Sequence, residues 1–353
     1  MIRYRIIHKI KAILPALFAG LFLMTGCSDA VIKDNNLLGY QALSEREYDN
    51  ALQFFDTAAE EGENAQETLR GQGIAYMGKA DYDKAVTVLK GSLSESDGRI
   101  GELEFDTAFY LAVAEFRNGD PAASRDTCTS IINLRRDDPD AFFLRGKAEL
   151  ALNDSDMAVR DFNTAVELKK DDPDLYIDIY ECMANAGLAE EGGNFLKSAM
   201  ELTKINDFQK GKLYYFLEEY DEARDKLEAA RGDGSDPLLI LWLGKTYEAL
   251  GDKSYAASLY KTYLEDNQGN VDIYNQLGLC EMDTGDYAAA LESFETGLKQ
   301  GGEEMDQSLL FNQIVAYEHL ADFKKATVLM ESYLSKYPDD EAAQREYKFL
   351  KTR

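Results

Sequence analysis

A small residue returns along this chain at nearly constant intervals: Ala51, Ala85, Ser124, Ala158, Gly192, Ala223, Ala256, Ala290 and Ala326. The intervals are 34, 39, 34, 34, 31, 33, 34 and 36 residues. Twelve residues before each stands Gly39, Gly73, Ala112, Gly146, Tyr180, Gly211, Gly244, Gly278 or Ile314. A period of this length means one supersecondary unit copied in line, so the core grows lengthwise and the 353 residues need not divide into ordinary domains.

The unit is clearest from Tyr274 to Leu298. Tyr274, Leu277, Gly278, Glu281 and Met282 form one stripe of a 3.6-residue helix, with Glu281 its only polar member. Thr284-Gly285-Asp286 breaks it. Tyr287, Ala290, Leu291, Phe294 and Leu298 then form the stripe of a second helix. Gly278 and Ala290 permit close approach, and Phe294 fills the space beyond them. One such pair is too small to bury its own stripe and needs neighbours. This pattern of Gly, Tyr and Ala at a 34-residue period resembles the tetratricopeptide repeat. The resemblance covers residues 32–338 and implies an all-α solenoid, a right-handed superhelix of about nine helix-turn-helix repeats. Residues 339–353 read as a capping helix, with Ala342, Tyr347 and Leu350 on its apolar side.

Two interruptions are expected. Ser94 to Leu103 reads as a longer loop. Gly187, Gly192 and Gly193 weaken the fifth repeat and predict a soft seam over residues 187–210.

Residues 1–26 read as a leader. Arg3, Arg5, Lys9 and Lys11 precede an apolar run from Ala12 to Met24, too short to span a bilayer comfortably. Leu23-Met24-Thr25-Gly26-Cys27 resembles the lipobox of bacterial lipoproteins, with Met24 a less usual residue at its place. That resemblance implies lipid attachment at Cys27, cleavage before it and a short tether over 27–31, placing the chain outside the cytoplasm on a bacterial membrane. An ordinary signal peptide, or an uncleaved anchor, with a chance Cys is the alternative.

The formal charge is −27, from 38 basic and 65 acidic residues. Such a surface repels phosphate backbones, so no nucleic-acid partner is expected. Cys128, Cys182 and Cys280 remain after Cys27. Cys182 and Cys280 hold the same place in repeats five and eight, about 30 Å apart at roughly 10 Å per repeat. A disulfide needs Cα atoms within about 7 Å, so all three are expected as free core thiols. His319 is the single histidine beyond the leader, read as a solvated or groove-edge residue. No metal site, cofactor or catalytic group follows from this inventory. The Asp-Asp-Pro-Asp runs at 137–140 and 171–174 read as helix starts; a calcium loop would need a closing Glu that neither has.

In the tetratricopeptide family the first helix of each repeat lines a concave groove for partner segments. The resemblance, carried over by register, places Phe109, Phe143, Phe208 and Phe311 at one groove position, Lys147, Lys212 and Lys245 at another, and Phe116, Tyr215 and Phe216 beside them. It implies a non-catalytic, membrane-anchored scaffold that binds a protein or peptide segment there. A carrier of glycan or small ligands on the same rings is the competing reading.

Overall fold

The computed structural model describes residues 34–232, 236–300, 306–338 and 340–353. The leader and Cys27 lie outside the described residues. The described residues form helices and no strand, and consecutive helices pack as neighbours within residues 35–185 and within residues 207–350: the fold is an all-α solenoid. The chain divides into two compact units, 1–195 and 196–353. The first contains α1 (Asn35–Ser44), α2 (Tyr48–Glu60), α3 (Ala65–Gly78), α4 (Tyr82–Ser94), α5 (Glu102–Arg117), α6 (Pro121–Leu134), α7 (Pro139–Ala151), α8 (Ser155–Leu168) and α9 (Pro173–Asn185). Helix α10 (Ala189–Met200) carries the dividing point, within the stretch expected to be soft. The second contains α11 (Asp207–Phe216), α12 (Tyr220–Ala230), α13 (Pro237–Ala249), α14 (Lys253–Asp266), α15 (Val271–Asp283), α16 (Tyr287–Gln300), α17 (Asp306–His319), α18 (Phe323–Lys336) and α19 (Glu341–Leu350).

One turn geometry serves the nine hairpins of the described residues. The residue seven places after the equivalent position of the first helix, small except at Tyr180 and Ile314, has positive φ in each. It is Gly at 119, 187, 251 and 285, but Arg46, Ala80, Asn153, Glu218 and Ala321 elsewhere, with φ between 58 and 63°. A left-handed residue ends the first helix, and where the next residue is Asp it caps the second. Asp120, Asp154, Asp252, Asp286 and Asp322 each accept a hydrogen bond from the backbone N–H three residues on. The Asp-Pro runs do the same for first helices: Asp138 accepts from Asp140 and Ala141, and Asp172 from Asp174.

Within each hairpin the packing follows a spacing of 16 residues. Sixteen places after the equivalent position of the first helix, small except at Tyr180 and Ile314, stands Phe55, Leu89, Cys128, Phe162, Leu196, Leu227, Tyr260, Phe294 or Met330, and every one is fully buried. A Cβ on Gly39 would meet Phe55 at 2.5 Å, one on Gly146 would meet Phe162 at 2.6 Å, and one on Gly211 would meet Leu227 at 2.5 Å. Where Ala112 replaces Gly, the smaller Cys128 sits opposite it in the same core. Burying a side chain of the Phe or Leu class contributes about 2 kcal/mol.

The polar member of the apolar stripe is also accounted for. Glu281 accepts from the Ser293 hydroxyl at 2.7 Å and pairs with Lys261 of the preceding hairpin at 2.8 Å. Glu115 does the same with Thr127 at 2.7 Å and Lys90 at 3.0 Å. These carboxylates tie adjacent hairpins together at equivalent places.

The interruption after α4 is shorter than Ser94–Leu103, because Glu102 and Leu103 already lie in α5. Gly101 N–H donates to Glu104 Oε2 at 2.7 Å, and that box starts the helix early. Cys128, Cys182 and Cys280 are free thiols, the first and last buried.

Candidate functional site

The residues singled out on first helices gather into two clusters, one in each unit. In the second unit α11 ends in Tyr215 and Phe216, and α13 brings Trp242 against both. The Trp242 ring lies 5.3 Å from Tyr215 and 5.3 Å from Phe216, edge-on or tilted, an arrangement aromatic quadrupoles favour. Lys245 Nζ stands 5.2 Å from the Trp242 centroid, and Lys212 Nζ 5.6 Å from Trp242 and 5.7 Å from Phe208. Both lysines immediately follow the close-approach glycines Gly211 and Gly244, so their stems leave the hairpin seam and cross the rings. Lys212 is buried, whereas Tyr215, Phe216, Trp242 and Lys245 are half-buried. Burial also pushes the Tyr215 hydroxyl above its ordinary pKa.

The first unit repeats the arrangement. Lys147, which follows Gly146, holds its Nζ 5.0 Å from Phe116 and 5.9 Å from Phe143. Burial pulls its pKa below the ordinary lysine value. Phe143 is buried and tilts onto Phe162 at 5.8 Å, so it forms the floor of the cluster; Phe116 is the half-buried wall.

Two of the expected residues stand apart. Phe109 is half-buried between the cores around Cys128 and Ile131. Phe311 packs 5.8 Å from Tyr333 of α18, in the core that docks α19. Trp242, absent from the groove positions implied by the family register, is instead the centre of the second cluster. The signal for it was present: a lone Trp on a first helix, three residues before Lys245.

A further polar assembly escaped the sequence. Arg70 is buried between the rings of Tyr40 and Tyr110, each 5.4 Å away, and pairs with Asp106. Asp106 and the tyrosine rings hold the guanidinium charged despite burial. His319 is exposed and stacks on Tyr287 at 4.3 Å, 9° from parallel. Burial first, and then the nearby Glu346 charge, raise Glu318 of α17 to about 7. Among the described residues no cluster of three metal-ligating side chains occurs, and no helix is long and apolar enough to cross a membrane.

A family model described as tetratricopeptide repeat matches residues 70–141, 208–271 and 275–341, and a second of the same description matches 139–172. Residues of this chain are 32% identical over 82 positions to the BBSome complex member BBS4 of Bos taurus, covering 23% of this chain and 16% of that protein. This chain therefore spans under a fifth of that relative. Among solved structures, yeast Tom70 superposes with a TM-score of 0.54 at 14% identity, over 90% of this chain and 87% of that one. A tetratricopeptide repeat protein from Parabacteroides merdae gives a TM-score of 0.45 at 14% identity, over 69% and 97%.

Proposed function

The chain belongs to the tetratricopeptide repeat family, and from that premise we propose that it is a lipid-anchored scaffold in which each of the two lysine–aromatic clusters can hold a segment of a partner protein. The repeat scaffold is suited to protein–protein interaction, and proteins built on it are generally non-catalytic. The observation that carries the reading is the half-exposed Trp242 with Tyr215 and Phe216 packed around it. Rigid aromatic groups offered to solvent in one patch mark partner sites. The basic-then-apolar leader and the Cys27 lipobox support attachment to a bacterial membrane on the side away from the cytoplasm, with two or more acyl chains needed for stable anchoring.

A glycan carrier is disfavoured by the same geometry. Lys212 and Lys245 already lie within 5.6 Å of the Trp242 centroid, so a sugar stacking there would have to displace charged groups that a peptide carboxylate or carbonyl can use.

A photo-crosslinking residue at Phe116 or at Phe216, in intact cells, tests the scaffold. One discrete protein should be caught at either position and not from Val328, which is 59% exposed on α18. The same proteins from all three positions, or none from the first two, would reject the reading. Palmitate labelling that persists in Cys27→Ala would reject the anchor.

A further inference from the structure

We propose that the Trp242–Lys245 surface of the second unit takes an acidic peptide segment anchored by one large apolar or aromatic side chain. The inference rests on the scaffold reading and names the chemistry of the partner.

Charge carries the first step. The whole chain has 65 acids against 38 bases, yet α11 and α13 together carry Lys210, Lys212 and Lys245 against only Asp207 and Glu248. Both acids are engaged. Asp207 pairs with Lys226 at 3.1 Å, and Glu248 accepts from the Tyr260 hydroxyl at 2.9 Å. Lys245 makes no ion pair among the described residues; its ammonium rests on Trp242 instead. In so acidic a chain an unmatched lysine is a place kept free of carboxylates. A carboxylate arriving there gains a charge-assisted contact and breaks no existing pair.

The rings supply the second step. Trp242 meets Tyr215 edge-on and Phe216 at a tilt, so an incoming apolar side chain finds aromatic area already ordered and its docking costs little side-chain entropy. The first unit independently shows the same combination, Lys147 over Phe116 with no ion pair to the lysine among the described residues. The net charge of −27 favours a basic partner at long range. That field is screened beyond about 8 Å at physiological salt, so contact chemistry decides what is held.

Trp242 is the only tryptophan in the chain, and its emission reports on the site directly. The full chain is titrated with three nine-residue peptides, each with a central Phe, flanked by Asp, Ser or Lys. The Asp peptide should shift the emission and bind about tenfold more tightly than the Lys peptide. Lys245→Met should weaken the Asp peptide about threefold, the scale of one partly exposed charge pair, and Lys245→Glu should reverse the preference, with circular dichroism unchanged. Equal binding of all three peptides, or an unaltered preference in Lys245→Glu, overturns the acidic class. If crosslinks at Phe216 still catch a protein while the Asp peptide fails, only the charge assignment falls; if both fail, the scaffold reading falls with it.

Discussion

A Cβ built on Gly278 would lie 2.3 Å from Cε1 of Phe294, so the Phe294 ring fills the volume that any side chain on Gly278 would need. Phe294 is fully buried and cannot swing into solvent. Gly278→Ala should therefore destabilise the chain by about 1–3 kcal/mol, the usual cost of overpacking. Adding Phe294→Leu should recover part of the loss. Urea unfolding midpoints of the single and double variants measure both effects.

Gly193 lies inside α10, and a Cβ there would touch nothing within 4 Å. Gly193→Ala should stabilise by up to about 1 kcal/mol, since Ala loses less backbone freedom and meets no obstacle. Gly192, one residue earlier, is the control: its Cβ would come 3.1 Å from Met183 Cβ, so alanine there should gain less.

Ala80 and Ala321 hold the left-handed turn position with φ of 58 and 60°. An L-residue with a Cβ loses about 1–2 kcal/mol there, and glycine recovers it less its own entropic cost. Each Ala→Gly change should raise the urea midpoint, whereas glycine at Ala75, in the middle of α3, should lower it.

Glu318 is an acid whose folded pKa is raised to about 7, first by burial and then by Glu346. The folded state therefore holds this proton more tightly than the unfolded chain does, whose value is near 4.5. Its contribution is complete below pH 4.5 and is lost as pH rises through 7. Glu318→Gln should flatten that decline, seen as a smaller change in unfolding midpoint between pH 5 and 7.5.

Burial raises the Cys182 thiol to about 11 and the Cys128 thiol to about 12. Thiolate is the reactive form, so a thiol reagent at pH 8 should react slowly with the folded chain. After denaturation a chain acylated at Cys27 should release three equivalents, Cys128, Cys182 and Cys280.

The architecture was legible because a repeat prints its contacts in spacing. The small residues twelve apart state where two helices touch, and Asp-Pro states where a helix begins. The left-handed turn was half legible: Gly285 announced it in one repeat, but Arg46, Ala80, Asn153, Glu218 and Ala321 occupy the same conformation with no common side chain. Tertiary packing overrides their preference. Glu281 stood out as a polar residue on an apolar stripe, and its partners Lys261 and Ser293 lie on two other helices.

Sequence alone determined the order, number and internal packing of the hairpins, because those depend on local spacing and on the size of one residue against another sixteen places on. Tertiary structure alone decided which first-helix residues share a surface. It gathered Tyr215, Phe216, Trp242 and Lys245 and set Phe109 and Phe311, also half-buried, against other core clusters, because that choice depends on how one hairpin is rotated against the next, and periodicity along the chain carries no measure of that rotation.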